Sequence, residues 1–266
     1  MDFETLHPLP EEIRERVVKE LRRIETDHNV TVLYACESGS RAWGFASTNS
    51  DYDVRFVYVP KIDWHLDIDK QRNVIDSQIP EFDLDCSGWS LGKTLGLLRK
   101  SNPALLEWLG SPLVYMVKPE RDELKEFALR QFNPDAGFNH YLNLAGGTWK
   151  RFIADHDEVI YKKYFYALRP LFAIEWVLKY GTMPPTEYEK LVADYSPGPT
   201  LQAALDKLLV LKRAGDETRA GPRIFELDEF IWSKLEDFRK LQVPALEKPD
   251  DEYLKEFFRR TVRKYD

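Results

Sequence analysis

The chain has 266 residues, 43% hydrophobic, 31% charged and 13% aromatic, a globular composition that excludes a disordered or fibrous protein. With 45 Asp+Glu against 38 Lys+Arg, the formal net charge of −7 speaks against coating nucleic acid by bulk charge but permits a local basic groove. Cys36 and Cys86 are too few for a disulfide framework or a thiolate metal site. No apolar run reaches the roughly 18 residues that span a bilayer, and MDFETLHPLP lacks a signal-peptide layout, so a cytoplasmic protein with no membrane partner is expected.

Behind Pro8 and Pro10, the apolar residues Ile13, Val17, Val18, Leu21 and Ile24 recur at helical spacing and predict an amphipathic helix to about His28. VTVLYACE (Val30 to Glu37) is a β-branched and aromatic run that fits a buried strand, broken by Ser38, Gly39 and Ser40. After the loop RAWGFASTNS, the stretch Asp51 to Pro60 predicts a second strand, stopped by its proline. Further strands are expected near Asn73 to Gln78 and Glu81 to Cys86, where the sheet pattern ends. From Trp89 onward helical periodicity dominates: LGKTLGLLRK, PALLEWL behind Asn102 and Pro103, then Glu120 to Phe132, Asn133 to Ala154 and Asp157 to Tyr180. A Pro/Gly-rich interruption from Gly181 to Pro199 precedes helices near Leu201 to Arg213, Asp228 to Leu241 and Asp251 to Tyr265. The expected fold class is α+β: a short mixed sheet with flanking helices over residues 1–120, then a helical domain over 121–266, with a cleft between the two.

The segment ESGSRAWGFASTNSDYDVRFVYV, from Glu37 to Val59, carries the chemistry. Asp51 and Asp53 are two apart in a predicted strand, so they leave one face while Tyr52 and Val54 leave the other. Neighbouring carboxylates repel unless a cation lies between them, and hard oxygen donors suit Mg²⁺ or Mn²⁺. The turn through Gly39 and Ser40, with Arg41 beside it, supplies small residues and backbone N–H groups that can cradle phosphate. A lone D-x-D is more often a solvated strand edge; the Gly-Ser turn ahead of it and a further strand acid behind it change its meaning. That third acid is Asp85, next to the Ser87-Gly88 turn, with Asp83 in reserve on the same strand face.

With these residues in place the sequence resembles the DNA polymerase β-like nucleotidyltransferase superfamily, whose signature is matched by Gly39 with Ser40, Asp51 with Asp53, and Asp85. GSRAWGF, SDYDVRFVYV, the Gly88-Trp89 pair, KSNPALLEWL and KKYFYALRPLFA look like its branch associated with RNA-repair ligases, RlaP, over roughly residues 30 to 185. Ser90 and Gly92 depart from that branch's pattern. The resemblance implies metal-assisted transfer of a nucleoside monophosphate from a nucleoside triphosphate to a hydroxyl, with an RNA end as a possible acceptor and with two Mg²⁺ or Mn²⁺ ions as cofactors. Under it Asp51, Asp53 and Asp85 are the catalytic, metal-holding acids, and Gly39, Ser40 and Arg41 contact phosphates. Lys162, Tyr166 and Arg169, at spacings of four and three on one helix face, become nucleotide-binding candidates, although spacing alone fits a basic solvated face equally well.

Other signals carry less. GWSLGKT imitates a phosphate-binding P-loop, with three residues where the motif requires four. The five histidines show no zinc-ligand spacing, both cysteines read as small buried hydrophobes, and Trp43 fits either base stacking or loop anchoring. Competing functions are nucleotidylation of a protein or small molecule and a nucleotide-binding module without catalysis.

Overall fold

The structure is a computed structural model that describes residues 3–47, 49–69, 71–214, 219–243 and 251–266. It opens with α1 (Phe3–Leu6) and α2 (Glu11–His28), whose apolar stripe at Val17, Leu21 and Ile24 is buried. Asn29, with φ 50°, ends α2 in the left-handed region and turns the chain into β1 (Val30–Glu37). Then follow α3 (Gly39–Trp43), β2 (Tyr52–Pro60), α4 (Ile62–Leu66), β3 (Val74–Ile79), a 3-10 turn at Pro80–Phe82 and β4 (Leu84–Ser90). Helices α5 (Leu91–Leu98) and α6 (Pro103–Gly110), strand β5 (Val114–Val117) and α7 (Glu120–Arg130) come next. The Asn102 side chain caps α6 by accepting from Leu105 N, and Pro103 fills the first helical position.

The five-stranded sheet has the order β3-β4-β2-β1-β5, with β2 and β4 parallel and the other pairs antiparallel. One face, made by Val32, Val54, Phe56, Tyr58 and Cys86, packs with Val17, Leu21 and Ile24 of α2 as a closed apolar core. The alternation of β2 therefore sends Asp53 and Arg55 to the other face.

The second stretch holds α8 (Pro134–Phe152), β6 (Glu158–Ile160), α9 (Tyr161–Tyr180), α10 (Tyr188–Tyr195), α11 (Pro199–Ala214), β7 (Ala220–Pro222) and α12 (Phe225–Phe238), and the chain closes with α13 (Glu252–Lys264). The molecule divides into two compact units. The first comprises Met1–Ala42, Asp51–Gln131 and Glu247–Asp266, and the second comprises Trp43–Ser50 and Phe132–Leu246. Both α7 and α13 group with the sheet. Their physical tie is direct: Phe127 stacks on Tyr253 at 5.9 Å, and Glu120 accepts from Lys264 Nζ at 2.6 Å and Tyr265 Oη at 3.0 Å. In the second unit, Phe45 stacks on Phe165 at 4.3 Å, and Tyr164 Oη donates to Asp228 Oδ1 while accepting from Ile224 N.

The sequence pattern missed several short elements, among them α1 with four residues and α4 with five. β5 has four residues behind a proline, β6 and β7 have three each, and α10 lies inside the Pro/Gly-rich interruption. The strands are too short to display a period, and α10 is masked by the prolines and glycines around it. The loop expected after Ser40 is partly the short helix α3.

Gly88 is a packing constraint: a Cβ there would lie 2.1 Å from the buried Phe56 ring. Gly88→Ala is expected to lower unfolding free energy by about 1–3 kcal/mol, the usual cost of overpacking, measured by urea denaturation.

Candidate active site

Strand β1 ends at Glu37, and its direction reverses through Ser38 and Gly39. Gly39 has φ +59°, a conformation that L side chains rarely adopt, and a Cβ on it would stand 2.2 Å from Asp53 Oδ2. Only a glycine lets this turn approach the carboxylate. The turn is fastened by Ser38 N, which donates to Asp53 O at 2.8 Å. Ser40 is buried within α3. Arg41 donates from Nε to Asp51 O at 3.1 Å and lies 3.8 Å from the Tyr52 ring, so it braces the start of β2. Asp51 sits one residue ahead of β2.

Asp53 and Asp85 are register partners on the parallel strands β2 and β4. They therefore leave the same face side by side. Asp83, the reserve candidate, adopts φ +47° in the turn before β4, where its carbonyl accepts from Tyr52 N at 2.8 Å. Between the two strand acids lies Arg55. Its Nη2 donates to Asp53 Oδ1 at 2.7 Å and its Nη1 to Asp85 Oδ2 at 2.8 Å, with further bonds from Nη1 to the carbonyls of Val54 and Asp85. The side chains of Arg55, Asp53 and Asp85 are 18%, 23% and 37% exposed, so this ionic triad is part-buried yet open to solvent at Asp85.

Behind Asp53 stands the buried Glu37. Its Oε1 accepts from Asp53 N at 2.8 Å and its Oε2 accepts from Tyr115 Oη. Burial lifts the Glu37 carboxyl from the ordinary 4.5 to about 7, against the opposing pull of the Tyr115 and Asp53 hydrogen bonds. Tyr115 itself is pushed upward, first by burial and then by the Glu37 charge. Both cysteines are buried, as their sequence context implied, and desolvation raises each thiol to about 12.

The donor chemistry suits a hard divalent cation: carboxylate oxygens from adjacent strands, with Asp53 Oδ2 packed against a turn that carries no Cβ. As arranged, however, the positive charge between Asp53 and Asp85 is the Arg55 guanidinium, and no group of three or more His, Cys, Asp or Glu among the described residues is drawn together to hold a metal.

In the second unit, Lys162, Tyr166 and Arg169 all lie on α9. The Lys162 Nζ is 5.9 Å from the Tyr166 ring, and Tyr166 meets Trp43 edge-on at 5.5 Å. Arg169 is only 2% exposed; its Nε and Nη2 donate to Thr186 O at 3.3 and 3.2 Å, and its guanidinium lies 4.7 Å from the Trp43 ring. Trp43 is thus an aromatic anchor packed within its unit, which also includes Phe45 at 5.6 Å.

Arg55, Glu37 and Tyr115 were absent from the sequence candidates. Arg55 was discoverable, because it follows Asp53 by two residues in a strand and must share its face. Glu37 had only the weak signal of an acid ending an apolar run, and Tyr115 sits in a strand too short to detect.

With the acids of β2 and β4 beside the Gly-Ser turn, the chain also matches a family model of the DNA polymerase beta class. Residues 13–260 match the RlaP family, described as the RNA repair pathway DNA polymerase beta family, and the chain belongs to it. "Uncharacterized protein YcgL" of Bacillus subtilis (strain 168) is 44% identical over 225 residues, covering 84% of this chain and 86% of that protein. A crystal structure of a nucleotidyltransferase-like protein from Exiguobacterium sibiricum 255-15 covers 93% of this chain and 77% of its own, at 14% identity and a TM-score of 0.30. Family membership supports nucleotidyl transfer from a nucleoside triphosphate, and nucleotidyltransferases of this fold generally use divalent metals. No helix among the described residues is long and apolar enough to cross a membrane.

Gly39→Ala is expected to destabilise more than Gly181→Ala in chemical denaturation. Both positions have positive φ and incur the left-handed cost of about 1–2 kcal/mol, but Gly181 has nothing within 4 Å whereas Gly39 collides with Asp53.

The raised Glu37 pKa fixes the sign of a pH effect. The folded state holds this proton more tightly than the unfolded chain, so Glu37 favours folding below pH 4.5 and that contribution is lost as pH rises to about 7. Glu37→Gln should therefore gain stability relative to wild type across this window, by on the order of 3 kcal/mol, in paired denaturation curves at pH 5 and 8.

Proposed function

We propose that the protein transfers a nucleoside monophosphate from a nucleoside triphosphate to a hydroxyl acceptor, with an RNA end as that acceptor. The observation that carries the proposal is the parallel register of Asp53 with Asp85 directly beside the Gly39 turn. Two carboxylates and a backbone able to approach phosphate are what the reaction needs in one place. The RNA end is taken from the family's description as an RNA repair pathway group.

In the proposed reaction the acceptor oxygen bonds to the α-phosphorus, the bond to the bridging oxygen of the β-phosphate breaks, and pyrophosphate departs. Bound Mg²⁺ or Mn²⁺, held by Asp51, Asp53 and Asp85, would supply Lewis-acid stabilisation of the attacking and leaving oxygens. Asp85, the more exposed of the two paired acids, is assigned to receive the acceptor proton. Gly39 and Ser40 line the approach of the β- and γ-phosphates, and Arg41, anchored on Asp51 O, adds positive charge there. Glu37 holds Asp53 through its main-chain N–H, which fixes the carboxylate without consuming its oxygens. Within the second unit, Lys162 and Tyr166 of α9 are proposed as nucleotide-binding residues in their own right, and Arg169 supports the Trp43 anchor beside Tyr166.

Incubation with each labelled nucleoside triphosphate, Mg²⁺ or Mn²⁺, and a panel of RNA ends should move label to RNA. Asp53→Asn should reduce that transfer by at least about 100-fold while the protein stays folded. Label on protein or on a small molecule alone would redirect the acceptor assignment. Triphosphate binding without transfer to any acceptor would overturn the catalytic proposal.

A further inference from the structure

Arg55 does more than share a sheet face with the acids. Its guanidinium takes one oxygen from each carboxylate, Asp53 Oδ1 at 2.7 Å and Asp85 Oδ2 at 2.8 Å, while Nη1 also donates to Val54 O at 3.0 Å and Asp85 O at 3.1 Å. The two main-chain bonds matter. A surface lysine opposite an acid changes rotamer freely, but a planar, part-buried fork tied to two carbonyls is held in place whether or not the carboxylates are engaged. The pair of acids is thus neutralised in part by a positive charge built into its own strand.

Building on the nucleotidyl transfer proposed above, we propose that Arg55 keeps the divalent-cation affinity of the Asp53 and Asp85 pair low until a triphosphate is present, so that cation and nucleotide enter together. A cation approaching these acids alone meets a fixed guanidinium and carboxylate oxygens already spent on charge-assisted hydrogen bonds. A triphosphate changes the balance because it brings its own negative oxygens. The geometry allows for it: Asp53 Oδ2 faces Gly39, the turn that a triphosphate would approach, while Arg55 grips the other oxygen. In this role Arg55 is a positioning residue, and its effect is on the order of binding.

The test measures Mn²⁺ binding to the full chain by electron paramagnetic resonance, with and without α,β-methylene nucleoside triphosphates tried in turn. Wild type should bind Mn²⁺ weakly alone and at least about tenfold more tightly with an analogue. Arg55→Gln, which removes the charge, should bind Mn²⁺ without nucleotide about tenfold more tightly than wild type, and its nucleotide dependence should shrink. Arg55→Lys, which keeps the charge but loses the fixed fork, should bind Mn²⁺ alone with an affinity between those of wild type and Arg55→Gln. Thermal melts establish that each variant is folded, and Asp85→Asn, which removes an acid and leaves the guanidinium, should weaken Mn²⁺ binding if Arg55→Gln does not fold. The inference is overturned if wild type binds Mn²⁺ equally well with and without nucleotide, if Arg55→Gln binds it no more tightly than wild type, or if Asp85→Asn leaves binding unchanged. If no form binds Mn²⁺ under any condition, the metal assignment falls and the inference falls with it, a result distinct from binding that ignores Arg55.

Discussion

The site depends on the parallel pairing of β2 with β4. Because β2 and β4 pair with Asp53 opposite Asp85, the two acids leave one sheet face side by side, one strand spacing apart. A one-residue slip would send one acid into the apolar face formed with α2, where Val54, Phe56 and Cys86 are closed from water. The hydrophobic core therefore enforces the register, and the register enforces the carboxylate pair. Gly88 and Gly39 serve the same geometry from either end: one leaves room for Phe56 in the core, the other leaves room for Asp53 at the turn.

Clustering acids has an electrostatic cost, and the fold meets it in two ways. Arg55 compensates the exposed side by sharing its guanidinium between Asp53 and Asp85. Glu37 relieves the buried side by holding its proton toward neutral pH, because burial disfavours its charged form. A third full negative charge in that enclosed position would repel Asp53. Held by Tyr115 and the Asp53 N–H, the Glu37 side chain acts as a hydrogen-bonding brace rather than as another anion at low pH. The same group that positions the acid thus limits the charge beside it.

Long elements and the motif spine were legible in the sequence for a physical reason: each extends over enough residues to show a period or pairs an apolar run with a breaker. β1 matches Val30 to Glu37, the Asn102 cap and Pro103 open α6, and the Asp53 and Asp85 positions follow from strand alternation. What escaped depended on partners far along the chain. The four-residue β5 exists because it pairs with β1, and it brings Tyr115 to Glu37 across 78 positions of sequence. The return of α13 to the first unit likewise rests on Phe127 with Tyr253 and on Glu120 with Lys264, contacts that composition cannot announce. Arg169 differs from its two neighbours on α9 in burial. Its spacing from Lys162 and Tyr166 suggested an exposed basic row, but tertiary packing buries its guanidinium between Thr186 O and Trp43.

The formal charge of −7 is a poor guide to what a polyanion meets at this surface. Within a few residues of one another, Arg41 lies over Tyr52 and donates to Asp51 O, while Arg55 sits between Asp53 and Asp85. Both guanidinium groups are held by backbone carbonyls, so neither depends on an acid alone for its position. An approaching triphosphate is repelled by the carboxylates and attracted by these fixed cations, whereas a bare metal ion experiences both forces with reversed sign. When the opposing charges are interleaved at this scale, neither ligand alone gains the full field of its complement. Under the proposed reaction their complex, a cation shared among phosphate oxygens, offers both signs at once and would match the alternation of Asp53, Arg55 and Asp85.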